Sequence, residues 1–167
     1  MLSSQLEIVQ QAKEFLSSIS VLDYTTPIRP HFAGSAGTHM RHVIDHYQAL
    51  MNGCEDGFVD YNKRNRFADI EDDPQAATEA WERIAIWLEK VCSNNPDEPL
   101  QIQSETSIQH TEYVTVNSTL ARELVFVASH AIHHFSLLAV IRSMQGADTP
   151  EHFGVAPATV TYLRQQA

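Results

Sequence analysis

Residues 118–146 read STLARELVFVASHAIHHFSLLAVIRSMQG, and this stretch decides the fold. Ser118 or Thr119 supplies an N-cap and Gly146 a C′ residue, so one helix is predicted from there to about Gln145. At ~1.5 Å per residue it spans roughly 40 Å, enough to be the spine of a helical bundle. Phe126, Val127, Ala131, Leu137, Leu138 and Ile141 surround His130 and His134 with apolar side chains. Those two histidines are therefore expected to be at least half buried, and buried polar rings need partners.

Working outward, three further long helices are predicted. Ser4 and Glu7 fit a capping box that opens the first, to about Ser18, with an apolar stripe through Leu6, Val9, Ala12, Phe15, Leu16 and Ile19. Thr26-Pro27 and Arg29-Pro30 make an extended linker. The second helix runs over about 36–52 and stops near Gly53. Residues 54–73 lack periodicity and read as one long connection. The third begins near Pro74 and places Ala77, Ala80, Trp81, Ile84, Trp87, Leu88 and Val91 on one face. Leu100–Ser104 and Glu112–Val116 alternate in polarity like the two strands of a hairpin. A short last helix follows Pro157. The expectation is an all-α fold over residues 1–167: one four-helix bundle domain, with a crossover between helices two and three.

Composition narrows the function classes. The 167 residues carry a formal net charge of -10, so a nucleic-acid partner is disfavoured. Lys and Arg are scattered, without a basic stripe for anionic lipid. No apolar run approaches the ~20 residues of a membrane span, and the N-terminus does not read as a signal peptide. Two distant cysteines, Cys54 and Cys92, form neither a CxxC motif nor a disulfide framework, which fits the cytoplasm. Both read as structural.

The unusual count is nine histidines. His39, His42 and His46 stand at i, i+3 and i+7 and share one face of helix two. His130 and His134 stand at i, i+4 on the long helix, where two imidazoles can hold one metal ion. His133 projects ~100° away from His134 and cannot easily join the same ion. A third ligand must come from helix two, and spacing alone does not choose among its three histidines. Three imidazoles leave coordination positions open and favour Zn, Ni or Fe(II), one divalent ion per chain. The competing reading is a buried hydrogen-bond network without metal.

Gly37-Thr38-His39-Met40-Arg41-His42-Val43-Ile44-Asp45-His46-Tyr47, followed by His130-Ala131-Ile132-His133-His134 on a long helix, resembles the DinB/YfiT-like superfamily of four-helix bundles. The resemblance implies an up-down-down-up bundle with zinc or nickel held by His42, His130 and His134. It also implies a metal-dependent enzyme, with thiol S-transfer as the leading activity and a low-molecular-weight thiol as substrate. A metal-dependent hydrolase is the second reading. A non-enzymatic metal-binding stress-response or interaction protein is the third. A homodimer is compatible with such a bundle.

Supporting residues carry two readings each. Glu123, seven residues before His130, is a catalytic candidate as general base or as hydrogen-bond partner of an imidazole; otherwise it pairs with Arg122 at the surface. Asp45, at i+3 from His42, either orients that imidazole or is an ordinary exposed carboxylate. His39 and His46 line the pocket or are simple surface or capping histidines. Tyr61, Arg64 and Arg66 either bind a substrate carboxylate or pin a loop to Asp69, Glu71, Asp72 and Asp73.

Overall fold

The computed structural model describes residues 1–63, 68–93 and 95–166. Helix α1 is Leu2–Ser18, α2 is Val21–Thr25, α3 is Ala36–Gly53, α4 is Pro74–Val91, α5 is Leu120–Met144 and α6 is Pro157–Gln166. Caps set the starts: Ser35 accepts from Thr38 N–H, Asp73 from Gln75 N–H and Thr119 from Arg122 N–H. The four long helices meet in a ring of contacts, α1 on α4, α4 on α3, α3 on α5 and α5 on α1. The core lies inside that ring. Phe15, Met40, Ile44, Tyr47, Trp81, Ile84, Leu88, Phe135 and Leu138 are fully buried there. Burying an aliphatic or aromatic side chain of this kind stabilises by about 1.5–3 kcal/mol. Trp87, expected on the buried face of α4, is only partly buried.

The fold is mostly helical, and the all-α expectation is corrected by a three-stranded mixed sheet. Strands β2 (Pro99–Glu105) and β3 (Tyr113–Thr119) form the antiparallel hairpin. The third strand, β1 (Phe58–Asp60), lies parallel to β2 and makes the order β1-β2-β3. It falls inside the stretch read as a structureless connection. Three residues with one buried side chain, Val59, are too short to show an alternating pattern. What seats the strand is a close approach: a Cβ on Gly53 would stand 2.3 Å from the Phe58 carbonyl oxygen. A single 3₁₀ turn, Asp69–Glu71, occupies the same stretch. The five-residue α2, capped by Ser20, was also hidden by its length.

Helix α5 is long and apolar enough, by length and composition, to cross a membrane. The expectation that no run approaches a span is corrected to that extent: a window average tolerates the histidines and arginines that break the run. Here Leu124, Val127, Ala131, Phe135, Leu138 and Ile141 of α5 are buried in the core, and the helix packs on α1 and α3.

Candidate metal centre

Helices α3 and α5 lie side by side, and this contact turns two separate sequence clusters into one. Ring centroids are 5.0 Å apart for His42 and His130, and 4.7 Å for both His42–His134 and His130–His134. The triad implied by the motif is thus brought together. His46 is closer still to His130, at 4.1 Å, and 4.6 Å from His42. The ligand nitrogens of His42, His46 and His130 all lie within 4.8 Å of one another. His39 completes a five-membered cluster, with its Nδ1 3.2 Å from Nδ1 of His134. His133 is exposed, and its ring stands 5.4 Å from that of His134.

Tautomers follow from the partners. His46 Nδ1 lies 2.9 Å from the His42 backbone carbonyl, which can only accept. Nδ1 therefore carries the proton, and Nε2 of the neutral ring keeps its lone pair. This carbonyl-anchored imidazole is the arrangement that orients metal-ligating histidines. Nε2 of His42 and Nε2 of His130 are 3.1 Å apart. Zn–N bonds of about 2.0–2.1 Å set a tetrahedral N···N edge of roughly 3.3 Å, so the donor set fits a first-row divalent cation.

Electrostatics keep the donors available. Burial lowers the His134 pKa to about 3, helped by the neighbouring His130, His39, His133 and His46. His39 is lowered as well, by burial first and then by His133. Both rings are neutral at pH 7, the form in which imidazole ligates.

One wall of the centre is aromatic. Tyr61 stacks on His46 at 5.4 Å and 20°, and Phe126 stacks on His130 at 6.0 Å and 26°. The Tyr61 hydroxyl donates to Glu123 Oε2 at 2.8 Å. Glu123 is 1% exposed and also accepts from Ser118 Oγ at 2.6 Å and Arg122 Nη1 at 2.9 Å. Burial, then the Glu123 charge, raises the Tyr61 pKa, so the phenol stays a donor. Glu123 is accordingly neither a surface residue nor the closest group to the imidazoles; Tyr61 stands between. Arg122 lies over Phe126 at 5.1 Å. Asp45 is buried too, and accepts from Arg41 Nη1, while Arg41 Nε donates to Glu71. Arg64 and Arg66 lie outside the described residues. Sequence reading missed Ser118 as a partner of Glu123, and the stacking of Tyr61 on His46 and of Phe126 on His130. The signal of the stacking was tertiary, apart from the i, i+4 bond of His46 to the His42 carbonyl, which helical spacing permits.

A cavity of about 470 Å³, with no histidine in its lining, is lined by Asp45, Gln48, Asn52, Asp56, Asp60, Lys63 and Phe58. Its walls are polar. Cys54 and Cys92 are free thiols whose pKa burial raises, which suits structural positions rather than nucleophiles.

No family model matches the chain. A relative was found among characterised proteins: "FK506-binding protein 5" of Rhizopus delemar is 31% identical over 108 residues. The match takes in 65% of this chain and 28% of that protein. This finding overturns the reading of the chain as a DinB-type metal-dependent transferase or hydrolase, and as a metal-binding stress-response module. The similarity points instead to a protein named for binding FK506.

Proposed function

We propose that this protein is a folding factor, a peptidyl-prolyl isomerase or chaperone in class, working on the chaperone side of that class. The observation that carries the reading is the 31% identity over 108 residues to the Rhizopus protein. The character of the cavity lined by Asp45, Asp56 and Asp60 bears on the choice between the two activities. A large apolar macrolide, or a buried proline ring, calls for apolar and aromatic walls with few polar groups. The described cavity is lined by three aspartates, a lysine and amides. Polypeptide holding at the surface fits this molecule better than a drug pocket.

The proposal includes one divalent cation per chain, zinc or nickel before iron, held by His42, His46 and His130 with His134 beside them. Such an ion would tie α3 to α5 and stabilise the fold. It also includes an up-down-down-up arrangement of the four long helices, with the DinB/YfiT-like resemblance kept as one of fold alone. A cytoplasmic setting fits the two free thiols.

The test is suppression of client aggregation. A thermally denatured client enzyme should scatter less light in the presence of a few molar equivalents of this chain. A proline-peptide isomerisation assay and FK506 titration run in parallel should show no activity. Unchanged client aggregation at tenfold excess sinks the chaperone reading; isomerisation inhibited by FK506 replaces it with the isomerase reading.

A further inference from the structure

The sheet has an open edge of unusual character. Strand β3 is seven residues long and ends the order β1-β2-β3, and among the described residues nothing pairs with its outer side. Tyr113, Val114 and Val116 are 53%, 40% and 51% exposed. Proteins normally blunt such edges with lysine, proline, bulges or brevity. None of these is present: residues 99–119 contain no Lys or Arg, and their only Pro is Pro99 on the inner strand.

Hydrogen-bond parity shows which backbone groups face out. Antiparallel partners alternate between hydrogen-bonded and non-hydrogen-bonded pairs. Thr106 N–H donates to the Glu112 carbonyl and Leu120 N–H to the Glu98 carbonyl. With Ile102 opposite Val116 in the same register, the even-numbered residues of β3 bond inward to β2. Gln101 and Tyr61, whose N–H groups donate to Gly57 and Gln103 carbonyls, show the odd positions of β2 serving β1. Tyr113, Thr115 and Asn117 therefore direct their N–H and C=O groups away from the sheet.

Charge says what fits there. Glu105 and Glu112 flank the turn end of the hairpin, both exposed, with His110 Nε2 3.1 Å from Glu112, within a chain of net charge -10. A second copy brings the same negative field; an extended segment carrying Lys or Arg brings the complement.

We infer that the outer edge of β3 is a docking strand for an extended, Lys/Arg-bearing segment of a partner polypeptide, which adds to the sheet through Tyr113, Thr115 and Asn117. Backbone bonds give the affinity, as in other strand additions. Val114, Val116 and Tyr113 meet alternate side chains, and the glutamates select for positive charge. The inference rests on the polypeptide-holding reading for the class of partner, and on the strand geometry for the place.

The probe is a ten-residue peptide alternating Lys with Val and Thr, beside its Glu counterpart, titrated by fluorescence anisotropy. Amide exchange is followed by NMR. The Lys peptide should bind and weaken with salt; the Glu peptide should not bind. Binding should slow exchange at Tyr113, Thr115 and Asn117, while Val114 and Val116 are slow throughout. Thr115→Pro removes an outward N–H and leaves the β2 ladder intact, so it should cost at least tenfold in affinity. Glu105→Lys with Glu112→Lys should reverse the preference between the peptides, a readout that survives even if Thr115→Pro fails to fold. Peptide binding without protection at the three odd residues overturns the inference. So does protection there without peptide, accompanied by dimers in sedimentation velocity. Client protection without any peptide binding overturns the inference and leaves the chaperone reading standing. Absence of client protection, with strand binding intact, sinks that reading alone.

Discussion

At the scale of the residue, the outcome turns on who stands next to whom. Glu123 was legible as a carboxylate on the histidine face of the long helix, but its partner Tyr61 comes from 62 residues away, and only Ser118, five residues before it, is local. Because its carboxylate is buried, each donor it loses leaves an acceptor unsatisfied. Tyr61→Phe should therefore destabilise by about 1–3 kcal/mol, read as a lower urea midpoint with an unchanged slope. His134 gives a pH prediction. Its folded pKa, about 3, lies below the ordinary imidazole value near 6.5. The unfolded chain then binds the proton first, so stability is lost as pH falls below ~6.5, and the loss continues until about pH 3. His39 acts in the same direction. Urea midpoints measured from pH 8 to pH 5 should decline across that window; in His134→Gln the decline should be shallower.

At the scale of the element, the four long helices and the hairpin could be read from periodicity and alternation, within a few residues of their observed ends; the Thr119 cap of α5 formed, but the Ser4–Glu7 capping box did not, since α1 starts at Leu2 and Ser4 Oγ donates to the Met1 carbonyl. The pieces that could not be read are α2, β1 and the 3₁₀ turn, all five residues or fewer. Elements so short carry too few positions for a period to appear, and they form because something else receives them. Gly37 is one such receiver. A Cβ there would stand 2.0 Å from the Glu71 carbonyl oxygen and 2.8 Å from the Tyr24 ring, so only glycine lets the 3₁₀ turn lie against the start of α3. Tyr24 completes the contact by donating to the Ile70 carbonyl at 2.7 Å. Gly37→Ala should force backbone apart and cost about 1–3 kcal/mol, the range of core overpacking. Calorimetry checks it by a lowered Tm; a Tm equal to the parent would refute the close approach.

At the scale of the whole molecule, the histidine cluster joins two helices that are far apart in sequence, so the proposed ion would act as a stabilising cross-link. Zinc or nickel at a free concentration 100-fold above its Kd should stabilise the chain by about 2.7 kcal/mol. Thermal melts with and without chelator at pH 7.5 would show the shift. His46→Ala should abolish it and His133→Ala should not; equal shifts in both variants would remove His46 from the ligand set.

The sequence by itself determined the helices, the hairpin and the two histidine clusters, because these depend on neighbours three, four or two residues away. It also determined that His133 stands apart from its neighbours, since the helical period fixes that angle. The tertiary structure alone decided that α3 and α5 lie together, and hence that five histidines form one group. It decided as well that His46 approaches His42 and His130 as closely as His134 does, and that Glu123 holds the hydroxyl of Tyr61, whose ring stacks on His46. Local periodicity says which face a side chain occupies. Which face of another element it meets depends on how the whole core packs, and no spacing within one helix carries that information.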